Sequence, residues 1–174
     1  MLNLNSEARR ILKKSWLWLV IIIASASVWL LGFFWAAQTP LTYTFRIWIG
    51  EEGGFDKTLT ELIKEECFNA GMKKCAINAY NPEDYHYGAA FALQANNVDI
   101  YVLQREEALV TAETEIFMTL DEISADKTVL RYDGKIIGLE FAKDYYVFIN
   151  KASGKDKALL YAVTEIIVGY GAQL

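Results

Sequence analysis

"TVLRYDGKIIGLEF", residues 128–141, is the stretch on which the fold turns. Asp133-Gly134 is a turn signal, because the tightest hairpin turns need positive φ at their central positions and Asp-Gly tolerates that. Ile136, Ile137, Leu139 and Phe141 crowd the arm that follows. Such β-prone residues after an Asp-Gly turn predict two strands joined as a hairpin. What lies on either side decides which sheet the hairpin joins.

Upstream, "TYTFRIWI" (42–49) alternates and is rich in β-branched and aromatic types, so it reads as a first strand. A glycine-bearing loop, "GEEGGFDKT", follows. In "LTELIKEECFNAG" (59–71), Leu59, Leu62, Ile63, Cys67 and Ala70 fall at helical spacing, and Gly71 supplies a stop. "KCAINAY" reads as strand two. "NPEDYHYGAAFALQAN" (81–96) opens with Asn81 as N-cap and Pro82 at the first helical position. "VDIYVL" (98–103) is strand three, and "REEALVTAETEIFM" begins as a helix. "TLDEI" (119–123) is a short turn or helix, "DYYVFIN" (144–150) the last strand, and "GKDKALLYAVTEIIVGYG" (154–171) a closing helix. The order β-α-β-α-β, hairpin, β-α predicts an α/β fold with a mainly parallel sheet flanked by helices.

Residues 16–37, "WLWLVIIIASASVWLLGFFWAA", contain no charge. As a helix the run is about 33 Å long, enough for a bilayer core of about 30 Å. Trp16 and Trp18 stand at one end, Trp29 and Trp35 towards the other, as interfacial indoles do. Arg9, Arg10, Lys13 and Lys14 precede the run, which puts residues 1–15 in the cytoplasm and 38–174 outside the cell membrane. Its length exceeds a normal signal-peptide core, and no convincing cleavage site closes it, so it reads as an uncleaved, single-pass signal anchor embedded in membrane lipid. A buried soluble helix is the plainer alternative.

Beyond the anchor the charge balance is acidic, within a net charge of −5 for the chain. An acidic domain is a poor partner for nucleic acid or an anionic lipid surface. Cys67 and Cys75 are the only cysteines, and both fall on the outer side, where a disulfide can persist. Their spacing suits a bridge from a helix end to the next strand; two buried free thiols fit equally well. Two cysteines and the single His86 do not make a zinc site, and no other metal or cofactor is expected.

Four segments together resemble the extracellular solute-binding proteins of ABC importers, in particular the carbohydrate-binding group. "YTFRIWIG" is similar to that family's opening strand, and "NNVDIYVL" to the strand after its second helix. "YDGKIIGLEF" resembles its "DGKxYGxP" hairpin, and "DYYVFINK" the strand ending in "YNK". The resemblance implies a single periplasmic-binding-protein-like lobe, preceded by one transmembrane helix. Two positions depart from the pattern: Ile137 stands where the family usually has tyrosine and Glu140 where it has proline. Family members hold ligand between two lobes, and this chain has material for one.

Open α/β sheets bind ligands beyond the carboxyl ends of their strands. That edge offers Trp48, Glu51, Asn81, Tyr85 and Gln104 as half of a sugar cleft, combining a flat aromatic with planar polar groups. Against it, Trp48 reads equally well as core and Asn81 as a helix cap. "GEEGGF" lacks the Lys-Ser/Thr of a phosphate loop. The pairs Glu51-Glu52 and Glu106-Glu107 read as solvated acids, and His86 as a helix-surface residue without a nucleophile. An enzyme is not expected. Two functions remain. One is a tethered module that presents or senses a small ligand such as a sugar for transport. The other is a non-binding lobe that docks on an ABC importer or another membrane protein.

Overall fold

The computed structural model describes residues 6–37, 40–84, 86–120 and 128–172; within 6–37 it describes the side chains of 14, 16, 17 and 19–32. The chain divides into two compact units, Met1–Thr39 and Pro40–Leu174. The first holds helix α1, Ser6–Ala37. Its described apolar side chains, among them Trp16, Ile22, Trp29 and Leu31, are exposed. Among the described residues, no helix is long and apolar enough to cross a membrane.

The second unit is α/β. Strands β1 (Thr44–Ile49), β2 (Lys74–Ala79), β3 (Ile100–Gln104), β4 (Val129–Tyr132), β5 (Lys135–Ala142) and β6 (Tyr145–Ile149) form one sheet in the order β2-β1-β3-β6-β5-β4. Helices α2 (Lys57–Asn69), α3 (Tyr87–Gln94), α4 (Arg105–Ala112) and α5 (Lys157–Gly171) complete it. β1 runs parallel to β2 and β3, but β6 pairs antiparallel with β3, β5 with β6, and β4 with β5. The sheet is therefore mixed, not mainly parallel. The reason is connection length: helical crossovers join the first three strands, whereas tight turns join the last three, and a tight turn permits only antiparallel pairing.

Alternation along the strands builds two cores. Phe45, Ile47 and Ile49 of β1, Ile100 and Val102 of β3, and Val147 and Ile149 of β6 share a cluster with Leu59, Ile63 and Cys67 of α2 and Leu160, Val163 and Ile167 of α5. The intervening side chains, Trp48, Tyr101, Leu103, Tyr146 and Phe148, share a cluster with Ala108 and Ala112 of α4. Period-two strands thus feed apolar groups to both faces, as a sheet covered on two sides requires.

Two polar residues fix the amino-terminal end of β3. Asn150 is fully buried, and its Nδ2 donates to the carbonyls of Ala95 (2.8 Å) and Val98 (2.7 Å) while Oδ1 accepts from Ala152 N (2.8 Å). Asp99 accepts from Arg46 N (2.8 Å) and from the Ser153 hydroxyl (2.6 Å). Each of these polar groups has hydrogen-bond partners, although burial still pushes the Asp99 carboxyl above its usual range. Lys155 Nζ adds bonds to the carbonyls of Leu41 and Thr42, tying the first turn of the domain to the loop before α5.

Candidate functional site

The carboxyl ends of β1 and β3 and the helices that follow them form the edge where a ligand is expected. Trp48 lies there but is 1% exposed. Tyr80 stacks on its ring at 3.8 Å with an interplanar angle of 14°, and Tyr87 and Phe91 meet it edge-on at 5.6 Å and 5.4 Å. Its indole Nε1 donates to the Tyr87 hydroxyl at 3.2 Å. Trp48 is therefore a core residue rather than the open platform a sugar would need. Its neighbours use the ring faces and its only donor.

Of the other expected residues, Asn81 and Gln104 are engaged by neighbouring groups. Asn81 does not cap a helix: its Oδ1 accepts from Glu83 N (2.9 Å) in a local turn, and its Nδ2 reaches Glu52 at 3.4 Å. Helix α3 starts only at Tyr87, later than the expected start at Pro82, because Asn81 and Asp84 each bond a backbone N–H two residues on and hold the chain in turns. His86 takes the position before the helix. Gln104 is exposed and donates to the Tyr145 hydroxyl at 2.8 Å. Glu51 sits half-buried in the turn after β1. Tyr85 lies outside the described residues. Of the four that are described, Trp48, Asn81 and Gln104 each bond a different neighbour.

A different group does converge. A Cβ placed on Gly50 would lie 2.7 Å from the Tyr87 hydroxyl and 3.0 Å from Glu107 Oε2, so both polar atoms point at this glycine. Glu107 stands in the first turn of α4, and its Oε2 is buried with no hydrogen-bond partner. Burial pushes the Glu107 carboxyl above its usual range, with the Tyr87 hydroxyl pulling the other way. Burial, reinforced by Glu107, likewise raises the Tyr87 phenol. The two groups thus sense each other, although no donor reaches Oε2 with hydrogen-bond geometry. Here a carboxyl group can keep its proton or take a donor from a visiting molecule.

Sequence reasoning missed Tyr80, Tyr87 and Glu107. Tyr87 and Phe91 are four apart on α3 and could have been read as one inward face. Nothing distinguishes Glu107 from Glu106 beside it until α3 is placed.

Cavities open elsewhere on the domain. One of about 720 Å³ lies between α3 and α4, lined by Phe91, Ala92, Val110, Thr111 and Ile116. One of about 320 Å³ lies beside the hairpin, lined by Phe117, Met118, Ile137 and Lys135. A third, of about 330 Å³, borders the edge strand β2 at Gly54, Lys64 and Cys75. Among the described residues no group of three or more metal-ligating side chains gathers. No protein-family model matches the chain, and no curated protein matches it in sequence.

Proposed function

We propose that the chain is a membrane-anchored, extracytoplasmic α/β module that docks on a membrane-resident partner. An importer of the ABC type, or an assembly complex, is the partner class that the resemblance to a solute-binding lobe suggests. The anchor reading rests on the uncharged run 16–37 and the basic residues before it. The observation that carries the docking reading is the apolar surface between α3 and α4. Val110 is 70% exposed and borders the cavity of about 720 Å³, and Leu93 on α3 is 81% exposed. An exposed apolar side chain beside an open groove whose lining includes Phe91 and Ile116 is the pattern of an interaction face. A tethered domain meets membrane proteins at high effective concentration, so such a face need not bind tightly by itself.

The test is full-length protein extracted in mild detergent and crosslinked. A defined heavier species is expected, and Val110→Asp with Leu93→Asp should remove it while changing stability by only about 0.5 kcal/mol, as at other surface sites. Crosslinking unaffected by both substitutions would sink the proposal.

The small-ligand reading keeps one observation in its favour, the unpartnered Glu107 Oε2 beside Gly50. A ligand O–H or N–H would satisfy it. A thermal-shift series against mono- and oligosaccharides is expected to be flat, because Trp48 offers no stacking face; a rise that grows with sugar concentration would reinstate carbohydrate binding.

A further inference from the structure

Cys67 and Cys75 are free thiols in this structure. Cys67 sits on the inner face of α2, fully buried, and Cys75 on the edge strand β2, half-buried. The turn between them is short and fixed: Met72 N bonds the Cys67 carbonyl at 2.9 Å, and Gly71 supplies the positive φ of 84°. Both side chains pack into the same apolar cluster, and each thiol lies close enough to perturb the other's titration. The pair differs in access. Cys75 lines the cavity of about 330 Å³ together with Lys64, whereas Cys67 has no path to solvent of its own.

From this geometry we infer that Cys67 and Cys75 form an ordered redox pair, in which Cys75 is the entry thiol and Cys67 the resolving thiol of a disulfide that joins α2 to β2. The reaction partner is a small disulfide such as glutathione disulfide. The Cys75 thiolate attacks one sulfur of that reagent, forming a mixed disulfide and expelling one glutathione thiolate. Cys67 then loses its proton and attacks Cys75 Sγ, expelling the second glutathione. Two protein thiols are oxidised and one reagent disulfide is reduced to two thiols, so the step balances.

The electrostatics agree with that order. The neighbouring Cys67 thiol and the charge of Lys64 together hold Cys75 below the ordinary thiol range, against the effect of burial. The neighbouring Cys75 and burial together hold Cys67 far above that range. A thiolate next to a cation at a solvent-lined cavity is the more reactive of two thiols. The inference is independent of the docking proposal, since it needs neither the α3–α4 face nor the anchor.

The experiment treats the reduced full-length chain with glutathione disulfide and follows intact mass and maleimide labelling after denaturation. The wild type is expected to lose both reactive thiols and two hydrogens in mass, with no lasting adduct. Cys67→Ser should stop at one glutathione on Cys75. Cys75→Ser should stay unmodified while folded and react only in denaturant. Lys64→Gln should slow the first step without changing the end product. The inference fails if the wild type keeps both thiols or ends as a stable glutathione adduct. It also fails if Cys75→Ser is modified in its folded state as fast as the wild type. Should either cysteine variant fail to fold, the wild-type mass alone decides between disulfide, adduct and unreacted thiols.

Discussion

At the residue scale, burial decides which polar groups matter. Glu106 and Glu107 are adjacent, yet Glu106 is exposed and Glu107 turns inward against Tyr87 and Gly50. The consequence is a pH dependence with a definite sign. Burial favours the protonated Glu107 carboxyl in the folded chain, so its folded pKa exceeds the unfolded value. The native state then binds more protons than the unfolded state between the two values. The stability this group contributes is complete below the unfolded value, about 4.3, and is lost as pH rises through the folded value. Glu107→Gln, which cannot ionise, should melt close to the wild type at about pH 4 and above it at about pH 7. Melting curves across that range check it; a wild-type advantage that grows with pH would show that the ionised carboxylate is stabilised instead. Trp48 makes the complementary point. Its position at a strand end was legible, but its exposure was not, because the residues that cover it, Tyr80, Tyr87 and Phe91, arrive from β2 and α3. A candidate site built from strand ends alone lacks the side chains that close over them.

At the element scale, the hairpin was the most legible part of the fold, because its instructions are local. Asp133 and Gly134 have φ of 49° and 75°, both in the left-handed region that a two-residue hairpin loop demands. Gly134→Ala should cost about 1–2 kcal/mol, the penalty of placing a Cβ in that region. Gly138 has a different role. A Cβ there would lie 2.5 Å from the Phe148 ring of the neighbouring strand, with the next ring atoms at 2.8 Å and 3.0 Å. Phe148 is fully buried and stacks on Phe117 at 4.4 Å, so it has nowhere to retreat. Gly138→Ala should therefore cost about 1–3 kcal/mol by overpacking. Urea denaturation measures both, and a neutral Gly138→Ala would mean that the Phe148 ring is free to move. The strands after the hairpin were found, but their direction was not. Alternation marks a strand and says nothing of its sense, and the antiparallel pairing of β3 with β6 joins strands that lie far apart in sequence. The start of α3 was misplaced for a similar reason: Asn81 and Asp84 carry cap chemistry, and here it closes turns.

At the scale of the whole molecule, the α/β class and the order of its elements followed from the sequence, whereas the balance of parallel and antiparallel pairing required the structure. The division into two units carries the last prediction. Among the described residues, both apolar clusters of the second unit are built from residues between Phe45 and Tyr170. A core that is complete without a segment should survive its removal. Residues 40–174 expressed alone should fold in one cooperative transition, with a stability within about 0.5 kcal/mol of the same domain in the full chain. The uncharged run 16–37 should then show its nature by its effect on solubility. An anchor keeps the full chain in the membrane fraction and makes it depend on detergent, while the fragment stays in the aqueous phase. A buried core helix would do the reverse: the full chain would be soluble, and the fragment would lose stability and expose apolar surface. Fractionation and denaturation of the two proteins side by side separate these cases. If the fragment unfolds, the run belongs to the fold, and the tethering on which the docking proposal depends is withdrawn with it.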